Sequence, residues 1–179
     1  MTTPSDVLAF WREAGPDRWY DRDDAFDAAI RAQFLPTYEA AAAGELGDWG
    51  NSPEGALARL IVLVQFQRNM FRNDARAYAA DPLARAIADR ALARGFDQQV
   101  DAGERLFFYL PFEHSEAAAD QARSVALHRA LGDADSLKWA QLHADIIARF
   151  GRFPHRNAVL GRETTPDEQA FLDGGGFKG

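Results

Sequence analysis

Alanine occurs 34 times in this chain, whereas valine, isoleucine and threonine together occur 16 times. Alanine loses no side-chain entropy in a helix, and strands favour β-branched residues, so the balance selects helix. No run alternates apolar and polar residues between hairpin turn signals. The chain therefore reads as all-α. At 179 residues, 47% of them hydrophobic, it is long enough to bury a core as one domain over 1–179. A flexible glycine-rich tail is expected from about 173 to 179, where Gly174-Gly175-Gly176 has neither a strand before it nor a helix after it.

Capping residues and breakers divide the chain into about seven or eight helices. Ser5 can cap a first helix through Val7, Leu8 and Trp11 to Gly15. Phe26, Ile30, Phe34 and Tyr38 recur at four-residue spacing in a second, which Pro36 should bend or divide and Gly44 end. A third runs from Ser52-Pro53-Glu54 to about Arg72. A fourth takes Asp81 as cap and Pro82 in its first turn, and stops at Gly95. Asp101 to Leu110 forms a fifth, halted by Pro111. Ser115 caps a sixth ending near Gly132, and Asp135 a seventh ending at Gly151. Thr165-Pro166-Asp167-Glu168 is a capping box for a last short helix. Helices joined by such short links lie antiparallel to their neighbours, which implies stacked helical hairpins.

Charge and composition exclude several function classes. The formal net charge of −7 argues against nucleic acid as a partner, since such binding needs a basic surface. The absence of cysteine removes disulfides, thiolate metal ligands and thiol nucleophiles. The longest apolar run, Leu60 to Val64, is far short of the ~20 residues of a membrane helix. The opening Met-Thr-Thr-Pro-Ser-Asp lacks the features of a secretory signal, so a cytoplasmic location is expected. Two basic spots interrupt the acidic background. Arg68 to Arg76 has three arginines against Asp74, and Arg149 to Arg162 has four arginines and no carboxylate. Such spots suit a small anion better than a polyanion.

Within the apolar third helix, Gln65, Arg68, Asn69 and Arg72 fall in one narrow arc. Buried guanidinium groups need partners, so the arc faces carboxylates, a ligand pocket or water. In the seventh helix Trp139, Leu142, Ile146, Ile147 and Phe150 surround His143, which should point inward, as a core histidine or as a base. Asp145 and Arg149 lie on the opposite face as an ordinary exposed pair. Beyond it, Gly151 and Pro154 shape a loop offering Arg152, His155, Arg156 and Asn157. Arginine suits bidentate recognition of carboxylate or phosphate. Glu104, Glu113 and Glu116 are the internal alternative as partners. No zinc-protease, Walker, dinucleotide or nucleophile-elbow pattern occurs, and neither a metal nor a cofactor is expected.

Four segments carry a family resemblance: Val7-Leu8-Ala9-Phe10-Trp11; Gln65-Phe66 with Arg68 to Arg72; Glu104-Arg105 through Tyr109-Leu110-Pro111-Phe112-Glu113-His114-Ser115-Glu116; and Arg149 to Asn157 with Leu160-Gly161-Arg162. Together they resemble a bacterial family catalogued as domain of unknown function 924. The resemblance implies a tetratricopeptide-like superhelix of helical hairpins and no established reaction. Where that family usually has Asp-Gln-Phe-Pro-Arg-Asn, this chain has Val64-Gln65-Phe66-Gln67-Arg68-Asn69. An aspartate essential for catalysis would leave this member inactive, whereas one that only pairs with an arginine would leave a shifted network.

Three functional readings follow. The first is a binding module whose Arg68, Asn69, Arg72, His114, Glu116, Arg152, His155, Arg156 and Asn157 line a pocket for an anionic small molecule or an acidic peptide group. The second is a hydrolase or transferase on a phosphorylated or carboxylated substrate, with His143 or His155 as general base. The third is a protein-interaction module without a small-molecule site. Homodimerisation is compatible with each.

Overall fold

Thr3, not Ser5, caps the first helix, α1 (Pro4–Ala14). Its hydroxyl accepts from the Asp6 amide while the Asp6 carboxylate accepts from the Thr3 amide, so two helix-end donors are satisfied reciprocally. The computed structural model describes residues 2–178. It is 73% helical, and no strand occurs among the described residues. The protein is all-α, with ten α-helices among those residues, slightly more than the sequence suggests.

After α2 (Pro16–Trp19) comes α3 (Asp24–Ala42), which continues through Pro36 undivided. Proline costs one backbone hydrogen bond, but Phe34, Thr37, Tyr38 and Ala41 are all buried around it and hold the helix together. Next, α4 (Pro53–Ile61), a π-helical turn at Val62–Phe66 and α5 (Gln67–Met70) follow one another without a break. Asp81 opens α6 (Asp81–Ala93) but makes no side-chain cap; its carboxylate instead accepts from Gln67 and Arg68. The segment Ala102–Phe108 is a 3-10 helix, and Pro111 sits inside the short α7 (Leu110–Glu113) rather than stopping a longer helix. There its missing amide costs nothing, because first-turn amides have no partner within the helix.

Ala117 occupies the cap position of α8 (Ala118–Leu131), and Ser115 supports the entry by accepting from the Ala117 amide. Asp133 rather than Asp135 caps α9 (Ala134–Phe150). Gly151 closes α9 at φ 72°, a left-handed turn that favours glycine. The Thr165–Glu168 capping box opens α10 (Pro166–Asp173) as its sequence implies.

The chain divides into two compact units, one of residues 1–72 and 76–111 and the other of 73–75 and 112–179. The first is built around aromatic rings. Trp11 stacks on Trp19 with centroids 5.4 Å apart, and both meet Phe107 edge-on. In the second, α8 and α9 pack together as a helical hairpin, while Phe153, Ile146 and Ile147 form a core joined by Phe171 and Phe177. The glycine-rich segment after α10 has a defined course as far as 178. The Gly176 amide donates to the Phe171 carbonyl, and the Phe177 ring lies 4.7 Å from His143.

Candidate functional site

The polar arc of the third predicted helix is an internal network of the first unit. Arg68 donates to both oxygens of Asp81, at 3.1 and 3.0 Å, and to the Val64 carbonyl. Asn69 donates to Asp27 at 2.7 Å, and Arg72 grips the same carboxylate with two nitrogens. The partners are thus aspartates of α3 and α6, whereas Glu104 is held by Arg12 at 2.7 and 2.8 Å. Gln67 makes four buried hydrogen bonds: its amide oxygen accepts from the Tyr38 hydroxyl and the Ala80 amide, and its nitrogen donates to Ala77 O and Asp81. Gln65 and Val64 are buried.

The arginine-rich loop of the second unit is organised by two glutamates. Arg152 holds Glu168 with two nitrogens at 2.6 and 2.8 Å, and Asn157 donates to the same carboxylate at 3.1 Å. These bonds to Arg152, working against burial, hold the Glu168 carboxyl at about 2, where 4.5 is ordinary. Arg162 grips Glu116 at 2.7 and 3.0 Å, and the Phe153 amide donates to it as well. Burial opposes ionisation of Glu116, but Arg162 and the Phe153 amide outweigh it and keep its pKa below the ordinary value. Arg156 donates to the His114 carbonyl and lies over the Phe153 ring at 4.4 Å. A charged hydrogen bond contributes about 1.5–3 kcal/mol, so these ties set the loop's shape.

Two histidines of this unit meet at Glu113. His128 Nε2 is 3.0 Å from one oxygen of that carboxylate and His143 Nδ1 is 3.3 Å from the other. His143 Nδ1 also lies 2.8 Å from the Trp139 carbonyl. The ring of His155 is 5.2 Å from Phe177 and that of His114 is 6.1 Å from His143. Glu113, His128 and His143 are all buried, and no group suited to a metal ion occurs among the described residues. Arg149 lies over Phe150 and Phe171, apart from any of these sites.

A different part of the first unit lacks such compensation. Arg59, on α4, is only 5% exposed, its Nε has no hydrogen-bond partner, and no ion pair reaches it among the described residues. Burial, and then the charge of Arg90, depress its pKa below the ordinary arginine value. It borders a cavity of about 680 Å³ shared with Arg90 and Arg94 of α6 and its end, with Leu83, Ile87 and Ala91, and with no carboxylate in the lining. Arg94 donates to the carbonyls of Gly50 and Asn51 and lies 4.3 Å over the Phe96 ring, fixing the 3-10 turn Gly47–Asn51 at the cavity edge. A Cβ at Gly55 would come within 2.2 Å of the Trp49 carbonyl oxygen, so glycine is required where that turn meets α4.

The model of a bacterial family of unknown function, DUF924, matches residues 7–176. The chain belongs to this family. The DUF924 protein is also similar to a solved structure, a protein of unknown function, ATU0120, from Agrobacterium tumefaciens. The two are 48% identical, with a TM-score of 0.93 over 96% of this chain and 97% of the other. No curated protein matches. Neither finding names a ligand. Among the described residues, no helix is long and apolar enough to cross a membrane.

The sequence suggests one pocket for the candidate binding residues, but Arg68, Asn69 and Arg72 belong to the first unit, and His114, Glu116, Arg152, His155, Arg156 and Asn157, with the candidate base His143, belong to the second. The sequence reading passes over Arg59. The available signal was helical spacing, because Arg59 has Ala56 three residues before it and Leu63 four after it, both buried.

Proposed function

We propose that this chain is a binding module for an anionic small molecule, received in the cavity beside Arg59. One observation carries the reading: Arg59, only 5% exposed as a residue and with a buried Nε that has no hydrogen-bond partner, sits without an ion pair among the described residues at the wall of a cavity whose other charged groups are also arginines. An unpaired buried charge costs several kcal/mol, and an anionic ligand removes that cost. The volume lies within the ~300–1,000 Å³ of small-molecule sites. In this reading Arg68, Arg72, Arg152 and Arg162 are internal ties that keep their elements in place.

The test is a thermal-melt screen against phosphorylated and carboxylated compounds, run on the wild type, Arg59→Met and Arg152→Ala. A ligand at ~100 times its dissociation constant adds ~2.7 kcal/mol to the native state, a shift of several degrees at this size. The expected result is a shift in the wild type and in Arg152→Ala that is lost in Arg59→Met. A shift retained by Arg59→Met, or none for any compound, contradicts the proposal.

A further inference from the structure

The cavity beside Arg59 carries more chemical information than a preference for negative charge. Resting on the reading just given, we infer that its ligand is a phosphate monoester with an apolar body, the phosphate on Arg59 and Arg90 and the body on the Leu83–Ile87 side of the cavity.

The charge count comes first. Three guanidinium groups border the cavity and no acidic residue does. Arg94 is committed to the Gly50 and Asn51 carbonyls and to the face of Phe96. Arg59 and Arg90 have no ion pair among the described residues, and they are close enough for the Arg90 charge to depress the Arg59 pKa. One carboxylate would neutralise one of two mutually repelling cations. A phosphate monoester, with a second pKa of about 6, is largely a dianion at neutral pH and has three terminal oxygens to share between two planar forks.

The shape supplies the second half. The volume of about 680 Å³ far exceeds what a bare phosphate fills. The lining also includes Ala56, Leu83, Ile87, Ala91 and Ala93, and Leu83 and Ile87, one to two turns before Arg90 on α6, reward an apolar body by its buried area. Gly44 and Gly47 border open space, since a Cβ at either would meet nothing within 4 Å, and Gly44 at φ +83° is in a conformation that side chains rarely adopt. The lining thus pairs cationic groups with aliphatic ones.

Isothermal titration of the full chain with four probe classes tests this: phenyl and hexyl phosphate, inorganic phosphate, benzoate, and phenol. Both phosphate esters are expected to bind at least ~10-fold tighter than inorganic phosphate and than benzoate, with no heat from phenol. Arg59→Met and Arg90→Met should each weaken the esters ~10-fold or more. Leu83→Ser should weaken the esters and leave inorganic phosphate unchanged. Ester affinity should fall as the pH drops below about 6, where the dianion becomes a monoanion. Inorganic phosphate binding as tightly as the esters, or benzoate matching phenyl phosphate, overturns this ligand class while anion binding stands. The absence of binding by every anion overturns the class and the anion-binding reading together.

Discussion

Replacing Arg59 with methionine should make the ligand-free protein more stable, which is the opposite of what a structural arginine does. Methionine keeps an unbranched apolar stem and deletes the charge of a residue only 5% exposed, whose Nε has no hydrogen-bond partner. The effective penalty for one buried ion is several kcal/mol, and solvent access from the cavity side would relieve most of it, leaving about 1–2 kcal/mol to be recovered. At ~2–4 °C per kcal/mol for a chain of this size, Tm should rise by roughly 2–8 °C. Urea unfolding followed by circular dichroism, with an unchanged m value, checks the same gain at 25 °C. The variant should also lose the stabilisation that anions give the wild type. A loss of more than about 1 kcal/mol in Arg59→Met would refute the reasoning, because it would mean that the guanidinium has protein partners that hold the fold.

The ties elsewhere should respond in the ordinary direction. Glu168→Gln removes the charge that Arg152, Asn157 and the Thr165 amide all address, and should cost about 2–3 kcal/mol at pH 7, below the usual range for a broken buried pair because Arg152 is partly exposed. The folded carboxyl, at about 2 against an ordinary 4.5, adds stability that is present above pH 4.5 and lost as pH falls from 4.5 through 2. Acid melts should therefore show a smaller Tm loss over that window for Glu168→Gln than for the wild type. Gln67→Leu strands the Tyr38 hydroxyl, the Ala80 amide and the Ala77 carbonyl, and denaturant unfolding should register a loss of about 3 kcal/mol. Burial raises the pKa of Tyr38 and Tyr109, with Asp97 adding to the rise at Tyr109, so ultraviolet titration should find these phenols protonated above pH ~10. Their native-state preference for the neutral form stabilises the fold below that pH and is lost as pH rises through the folded values.

The all-α class was legible because it rests on composition and on caps that act locally, as at Thr165–Glu168 and at Gly151. Local signals misled where two residues compete for the same helix end. Thr3 outcompetes Ser5 because Asp6 can answer it, and Asp133 outcompetes Asp135. Asp81 reads as a cap but serves Arg68 and Gln67, a choice made by tertiary neighbours. The same limit applies to the candidate site. Helical spacing shows that Arg68 and Arg72 lie on an apolar helix, but only the fold brings Asp27 and Asp81 to them. Gln67, where the family usually has proline, and buried Val64, where it usually has aspartate, belong to the same network. Arg59 differs because no carboxylate among the described residues pairs with it.

Arginine side-chain NMR reads ligand contact at Arg59 itself. Assign the Nε–Hε resonance of Arg59 by its loss in Arg59→Met, then titrate phenyl phosphate into the wild type. A saturable shift of that resonance and of Arg90 is expected, with those of Arg152 and Arg162 unmoved. Saturation elsewhere, with the Arg59 resonance stationary throughout, would contradict ligand contact at Arg59.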